Sequence, residues 1–237
     1  MKLKQILKNK DVGAIGIGAM IVFIAMVLVA GIAASVLVQT ANKLEIQAMQ
    51  TGDQTTAEVA TGVRVTDIEG EKATAWEYGN GSWANVTMTN MTITIAPRAG
   101  SQDIDLSQTV IEVSDSSRKC ILAYNGNDPD YASAVHQNGV FATPDDSDGT
   151  KMMLGQGANT FGIIELEDAD GSCDATNPVI NRGDKVMLTV NLTACFSDGG
   201  VSERSDVWGM VIPEEGAAGS FGFRTPASYT DDVFDLY

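Results

Sequence analysis

The chain has 237 residues, a formal net charge of −16 and a single His. No basic cluster stands beyond residue 13, which excludes a nucleic-acid partner of the usual electrostatic kind. One His and three Cys without a CxxC spacing give no zinc framework.

The N-terminus opens with Lys2, Lys4, Lys8, Lys10 and Asp11. From Val12 to Asn42 no charged residue occurs. A cleaved secretory signal has an apolar core of roughly 7–15 residues, and this run is about twice as long. As helix, residues 14–38 would span about 37 Å, more than the roughly 30 Å hydrocarbon core of a bilayer. The basic head then lies on the cytoplasmic side and the acidic bulk outside. The run is also rich in small residues, among them Gly16, Gly18, Ala25, Ala30, Gly31 and Ala34. Such residues let helices approach one another closely. The apolar character forms no single stripe, so this helix must be covered on every side, by lipid or by other helices.

The charges stop at Asp11, and Val12-Gly13-Ala14 opens the apolar run. A cut between Gly13 and Ala14 would remove the basic head and keep the whole apolar helix. That junction resembles the signals cut by prepilin-type peptidases. Bacterial type IV pilins carry Phe at the first mature position and Glu at the fifth, where this chain has Ala14 and Gly18. The segment Ala14-Ile15-Gly16-Ile17-Gly18, followed by Ile21 through Ala30, is instead similar to the mature N-terminus of archaellins, the archaeal flagellins. Ala99-Gly100-Ser101 with Ile104-Asp105-Leu106, Gly183-Asp184-Lys185-Val186 and Phe223-Arg224-Thr225-Pro226 also resemble that family.

The helix is expected to continue past the apolar run, because residues 39–60 contain no Pro and one Gly. Gly62 is its predicted stop, with an earlier break near Thr51-Gly52-Asp53 as the alternative, for a single helix of some 35–48 residues. Strands are then predicted from Val63, across 84–95, and at 109–113, 119–124, 161–166, 185–196, 207–212 and 219–224. The alternation within 84–95 slips near Asn90, which marks either a bulge or a short break. Asn, Asp and Gly spacers supply the turns. The expected fold class is α+β: a long N-terminal hydrophobic α-helix followed by an immunoglobulin-like antiparallel β-sandwich. The expected segments are 1–13, a cleaved basic signal; 14–62, an assembly helix; and 63–237, the β-domain, with a loop-rich stretch over 125–160. The archaellin resemblance implies the same architecture.

Four Asn-x-Ser/Thr sequons, at Asn80, Asn85, Asn90 and Asn191, are glycan acceptors if exported and exposed. Archaellins are often glycosylated, so the resemblance implies N-linked glycans. Two acidic loops raise a calcium question: Asp145, Asp146 and Asp148 in the first, Asp168 and Asp170 in the second. The first lacks the EF-hand pattern, and a solvated acidic loop is the simpler reading. At most one intrachain disulfide can form among Cys120, Cys173 and Cys195, and the pairing stays open. No catalytic constellation surrounds His136, so neither an enzyme nor a bound cofactor is expected.

The resemblance implies a structural subunit of the archaeal flagellum, an extracellular filament used for swimming. Its expected partners are copies of itself or other archaellins, a prepilin-type peptidase, and the membrane before assembly. An adhesive pilin-like filament subunit and an uncleaved, membrane-anchored binding domain are the alternatives.

Overall fold

A computed structural model describes residues 2–72, 86–126, 131–134, 140–141, 157, 159–196 and 199–236, with residues 2–12 and 14 described by their backbone. Residues 2–60 contain no Pro, and their five Gly are separated by strong helix formers. They form one helix, α1, Lys2–Ala60. At about 1.5 Å per residue it is roughly 88 Å long. It continues through the basic head, beyond the 14–62 span expected for the assembly helix. It ends where Thr61 N–H donates to Ala57 O and Gly62 turns the chain into a strand. The chain divides into two units, Met1–Gln54 and Thr55–Tyr237.

The second unit is a mostly antiparallel β-domain. Its strands are β1 (Val63–Lys72), β2 (Met88–Pro97), β3 (Ile104–Asp105), β4 (Val110–Asp115), β5 (Lys119–Tyr124), β6 (Tyr131–Ser133), β7 (Thr160–Glu167), β8 (Val179–Ile180), β9 (Lys185–Asn191), β10 (Asp206–Ile212), β11 (Gly219–Arg224) and β12 (Val233–Asp235). One sheet runs in the order β11-β10-β4-β5-β7-β9-β2-β1-β12, with β6 added alongside β7, and β3 pairs with β8 apart from it. Among the described strands of the large sheet, β5/β7 and β6/β7 are the parallel pairs.

On β2, where alternation is expected, Met91, Ile93 and Ile95 are buried, and Thr92 on the other side is buried as well; β10 alternates cleanly. On β10, Val207 and Val211 point inward, while Trp208 and Met210 face solvent. All the long strands send side chains into one core, which includes Ile68, Ile93, Ile111, Leu122, Phe161 and Leu188. The sheet curls far enough for its β11 end to approach β1. Val63 N–H donates to Ala217 O (3.1 Å), and Ala217 N–H donates to Thr61 O (2.8 Å). Gly216 makes that approach possible. Its φ is +93°, and a Cβ there would collide with the Thr61 carbonyl. The expectation of a long hydrophobic helix followed by a mostly antiparallel β-domain holds.

Two details refine the sequence reading. The slip near Asn90 is a register shift: Glu71 pairs with Asn90 and Lys72 with Met88, leaving Thr89 as the extra residue of β2. The strand expected over 185–196 stops at Asn191 instead. There the Asn191 side chain accepts from Ala194 N–H (3.0 Å) and caps a short helix, α2 (Leu192–Cys195). Cys195 forms a disulfide with Cys120 of β5, across a Cα–Cα separation of 5.7 Å, and Cys173 is a buried free thiol.

Candidate functional site

The largest unsatisfied surface among the described residues lies on α1. From Ile15 to Ala60 the helix is long and apolar enough to cross a membrane. Its large side chains stand in the open: Phe23 is 67% exposed, Leu28 61% and Leu37 68%. Covering one such side chain fully is worth roughly 1.5–3 kcal/mol. With nineteen large apolar groups in this state, the helix has a strong drive to find cover. Gly16, Gly18 and Gly31 have nothing within 4 Å of a notional Cβ, and Ala25, Ala30 and Ala34 are exposed between the larger residues. These are low points where a second helix can seat. Gly13, at the expected cleavage junction, is exposed within the helix, and Ala14 follows it in the same turn.

A second cluster sits on the β-domain. The turn after β7 folds around Asp168. Its Oδ1 accepts from Asp170 N–H (3.2 Å) and Gly171 N–H (2.8 Å), and its Oδ2 accepts from Cys173 N–H (3.0 Å). Gly171 takes φ +74° to close the turn. Asp170 accepts from Asn181 Nδ2 (2.6 Å), and with Ser172 this hydrogen bonding holds its carboxyl below the ordinary value. Asp184 completes the group. One carboxylate oxygen from each of Asp168, Asp170 and Asp184 lies within 4.8 Å of the others. Asp184 is 1% exposed; its Oδ2 accepts from Asn181 N–H (2.8 Å), and its Oδ1 has no partner.

A buried carboxylate oxygen left unpaired is costly. Three carboxylates converging on one point, one of them with an unpartnered buried oxygen, suit a hard divalent cation with oxygen ligands, such as calcium. The sequence offered Asp168 and Asp170 for this role; Asp184 is an addition from the fold, lying 14 residues beyond Asp170 just before β9. Asp145, Asp146 and Asp148 fall outside the described residues, as does His136. Beside the cluster, Tyr131 OH donates to Glu165 Oε2 (2.9 Å) and to the Cys173 carbonyl. Burial pushes the Cys173 thiol up to about 12, so it stays protonated and unreactive.

Of the four sequons, Asn80 and Asn85 lie outside the described residues. Asn90 and Asn191 are register partners on β2 and β9. Both are half-buried, and Asn90 Nδ2 donates to Glu71 Oε2 (2.7 Å).

Comparison with known proteins places this geometry. A family model for archaeal-type flagellin matches residues 13–223. The chain is 41% identical to flagellin B2 of Methanocaldococcus jannaschii, over all of both chains. It is 39% identical to flagellin B1 of Methanococcus voltae, again over the whole of both. The crystal structure of archaeal flagellin FlaB1 from M. jannaschii is similar with a TM-score of 0.56 and 27% identity, covering 75% of this chain and 97% of that one. A structure of the archaeal flagellum of Methanospirillum hungatei shares the fold with a TM-score of 0.59 at 13% identity, covering 92% and 98%. The match begins at Gly13 and takes in both the exposed helix and the curled β-domain: this chain belongs to the archaeal-type flagellin family.

Proposed function

We propose that this chain is a structural subunit of an archaeal flagellar filament, polymerising through α1 to serve swimming motility. The observation that carries the reading is the uncovered apolar surface of α1 in a chain 41% identical to a flagellin. The precursor sits in the membrane with its lysines on the cytoplasmic side. A prepilin-type peptidase cuts between Gly13 and Ala14 and removes all four lysines. The mature helix then exchanges lipid for neighbouring helices, so its apolar groups never meet water. The β-domain faces the medium; its strongly acidic composition keeps it soluble. The Cys120–Cys195 disulfide supports an extracytoplasmic location. Glycans on the sequons and a structural cation at Asp168, Asp170 and Asp184 belong to the same reading, and no catalytic role is assigned.

N-terminal sequencing of filaments sheared from cells tests the proposal. The expected sequence begins Ala14-Ile15-Gly16. Recovery of the chain only in the membrane fraction, beginning at Met1, would refute it.

A further inference from the structure

Between Asp11 and Asp53 the chain carries two charges, Lys43 and Glu45. Both lie on α1 and both are exposed. A helix turns about 100° per residue, so the two side chains leave it about 160° apart and cannot meet on one helix. The residues three and four positions from Lys43 are Gln39, Thr40, Ile46 and Gln47; those around Glu45 are Ala41, Asn42, Ala48 and Met49. Neither charge has an oppositely charged neighbour within its own helix, and neither makes an ion pair among the described residues.

The surroundings of the two charges differ. Gln39, Lys43, Gln47 and Gln50 fall within about 80° of one another and make a polar, cationic stripe. Glu45 stands on the other side among Ala41, Ala48 and Gly52, where a neighbouring helix can come close. An unpaired charge enclosed between packed helices is strongly unfavourable, whereas an opposite charge and amide donors relieve it.

We infer that in the assembled polymer Glu45 of one copy docks on the Lys43 stripe of the next copy, so that each helix presents a cationic glutamine face to one neighbour and an anionic small-residue face to another. Two unlike faces on opposite sides make a heterologous contact. Such contacts do not pair off as a two-fold dimer does; where the rotation between copies does not close a ring, they propagate into open helical polymers. The pair also fixes axial register along an apolar rod that otherwise offers few unique positions, as polar residues do in helical bundles. The inference rests on the filament reading and adds to it the identity of the contacting faces.

Charge exchange tests it. The full chain is expressed as the sole flagellin, and filaments are counted by electron microscopy, with the processed subunit quantified by immunoblot. Lys43→Glu and Glu45→Lys each set like charges face to face and are expected to reduce filament yield by about tenfold or more with the processed subunit still present. The double variant Lys43→Glu/Glu45→Lys restores the contact and the filaments, which no general folding defect would allow. Wild-type filament numbers in both single variants, or no recovery in the double variant, would overturn the inference. Absence of filaments from the wild-type chain would instead count against the filament reading itself.

Discussion

Asn90 and Asn191 face each other across β2 and β9, and each begins an Asn-x-Thr sequon. Register partners in an antiparallel pair have Cα atoms about 4.5–5.5 Å apart. Two glycans cannot leave that spot side by side without displacing each other. The residues that follow Asn90, Met91 and Thr92, are buried in the folded sheet, so a transferase reaches this sequon only before β2 pairs. Mass spectrometry of peptides from mature protein is expected to find at most one of the two occupied in any chain. Full occupancy of both would contradict this register.

The Cys120–Cys195 disulfide spans 75 residues, including the stretch between β5 and β7. Closing a loop of that length removes entropy from the unfolded chain worth about 4 kcal/mol in the loop-closure view. Cys195→Ser is expected to lower the unfolding free energy by that order, measured by urea denaturation in detergent. Reductant should bring the wild-type chain down to the same stability and leave the variant unchanged. Equal stability of variant and wild type would mean that the bridge is absent.

The Asp168, Asp170 and Asp184 cluster predicts a cation response. Calcium at about one hundred times its dissociation constant adds about 2.7 kcal/mol of stability to a chain that binds it only when folded. The thermal midpoint of the wild-type subunit should therefore rise with added calcium and fall on chelation. Asp184→Asn removes the charge at the buried, unpartnered oxygen and should abolish the response. An identical calcium shift in the variant would place the ion elsewhere.

Glu69 of β1 lies opposite Asp235 of β12. Burial first, then the negative charges of Asp67 and Asp235, raises the Glu69 carboxyl above its ordinary 4.5. A carboxyl raised in the folded state favours folding when protonated. Its contribution is full below the unfolded value and is lost as pH rises through the folded one. At neutral pH the charged Glu69 therefore opposes pairing of the C-terminal strand. Glu69→Gln should raise stability at pH 7 by a few tenths of a kcal/mol, since solvent screens much of the repulsion. The gain should vanish near pH 4. A loss of stability at pH 7 would show that Glu69 makes a favourable contact outweighing the repulsion.

Much of this architecture is legible in the sequence because it follows from local rules. An uncharged, Pro-free run of thirty residues can hardly be anything but an apolar helix, the alternation in β2 and β10 marks strands, and β9 is a short run buried on both faces from Val186 to Val190. The bulge at Thr89 shows as a slip in the same alternation. What escapes is set by distant partners. β3 and β8 are two residues each and exist only because they pair with one another. β12 is only three residues, Val-Phe-Asp, and is held by pairing with β1 and by Phe234 packing on the core. The end of β9 was hidden because Asn191-Leu192-Thr193 reads as strand until its Asn turns back to cap α2. Asp184 joins Asp168 only through the turn that Asn181 holds, by donating its backbone N–H to Asp184 and its side-chain amide to Asp170.

The claim that α1 is the polymerising element is tested most directly by an electron cryomicroscopy reconstruction of filaments made of this chain. The expected map has helices beginning at Ala14 packed against one another along the axis, with residues 15–50 shielded from solvent and the β-domains outside. A filament whose axis is built from β-domains, with α1 running free or still embedded in lipid and Met1 in place, would contradict it.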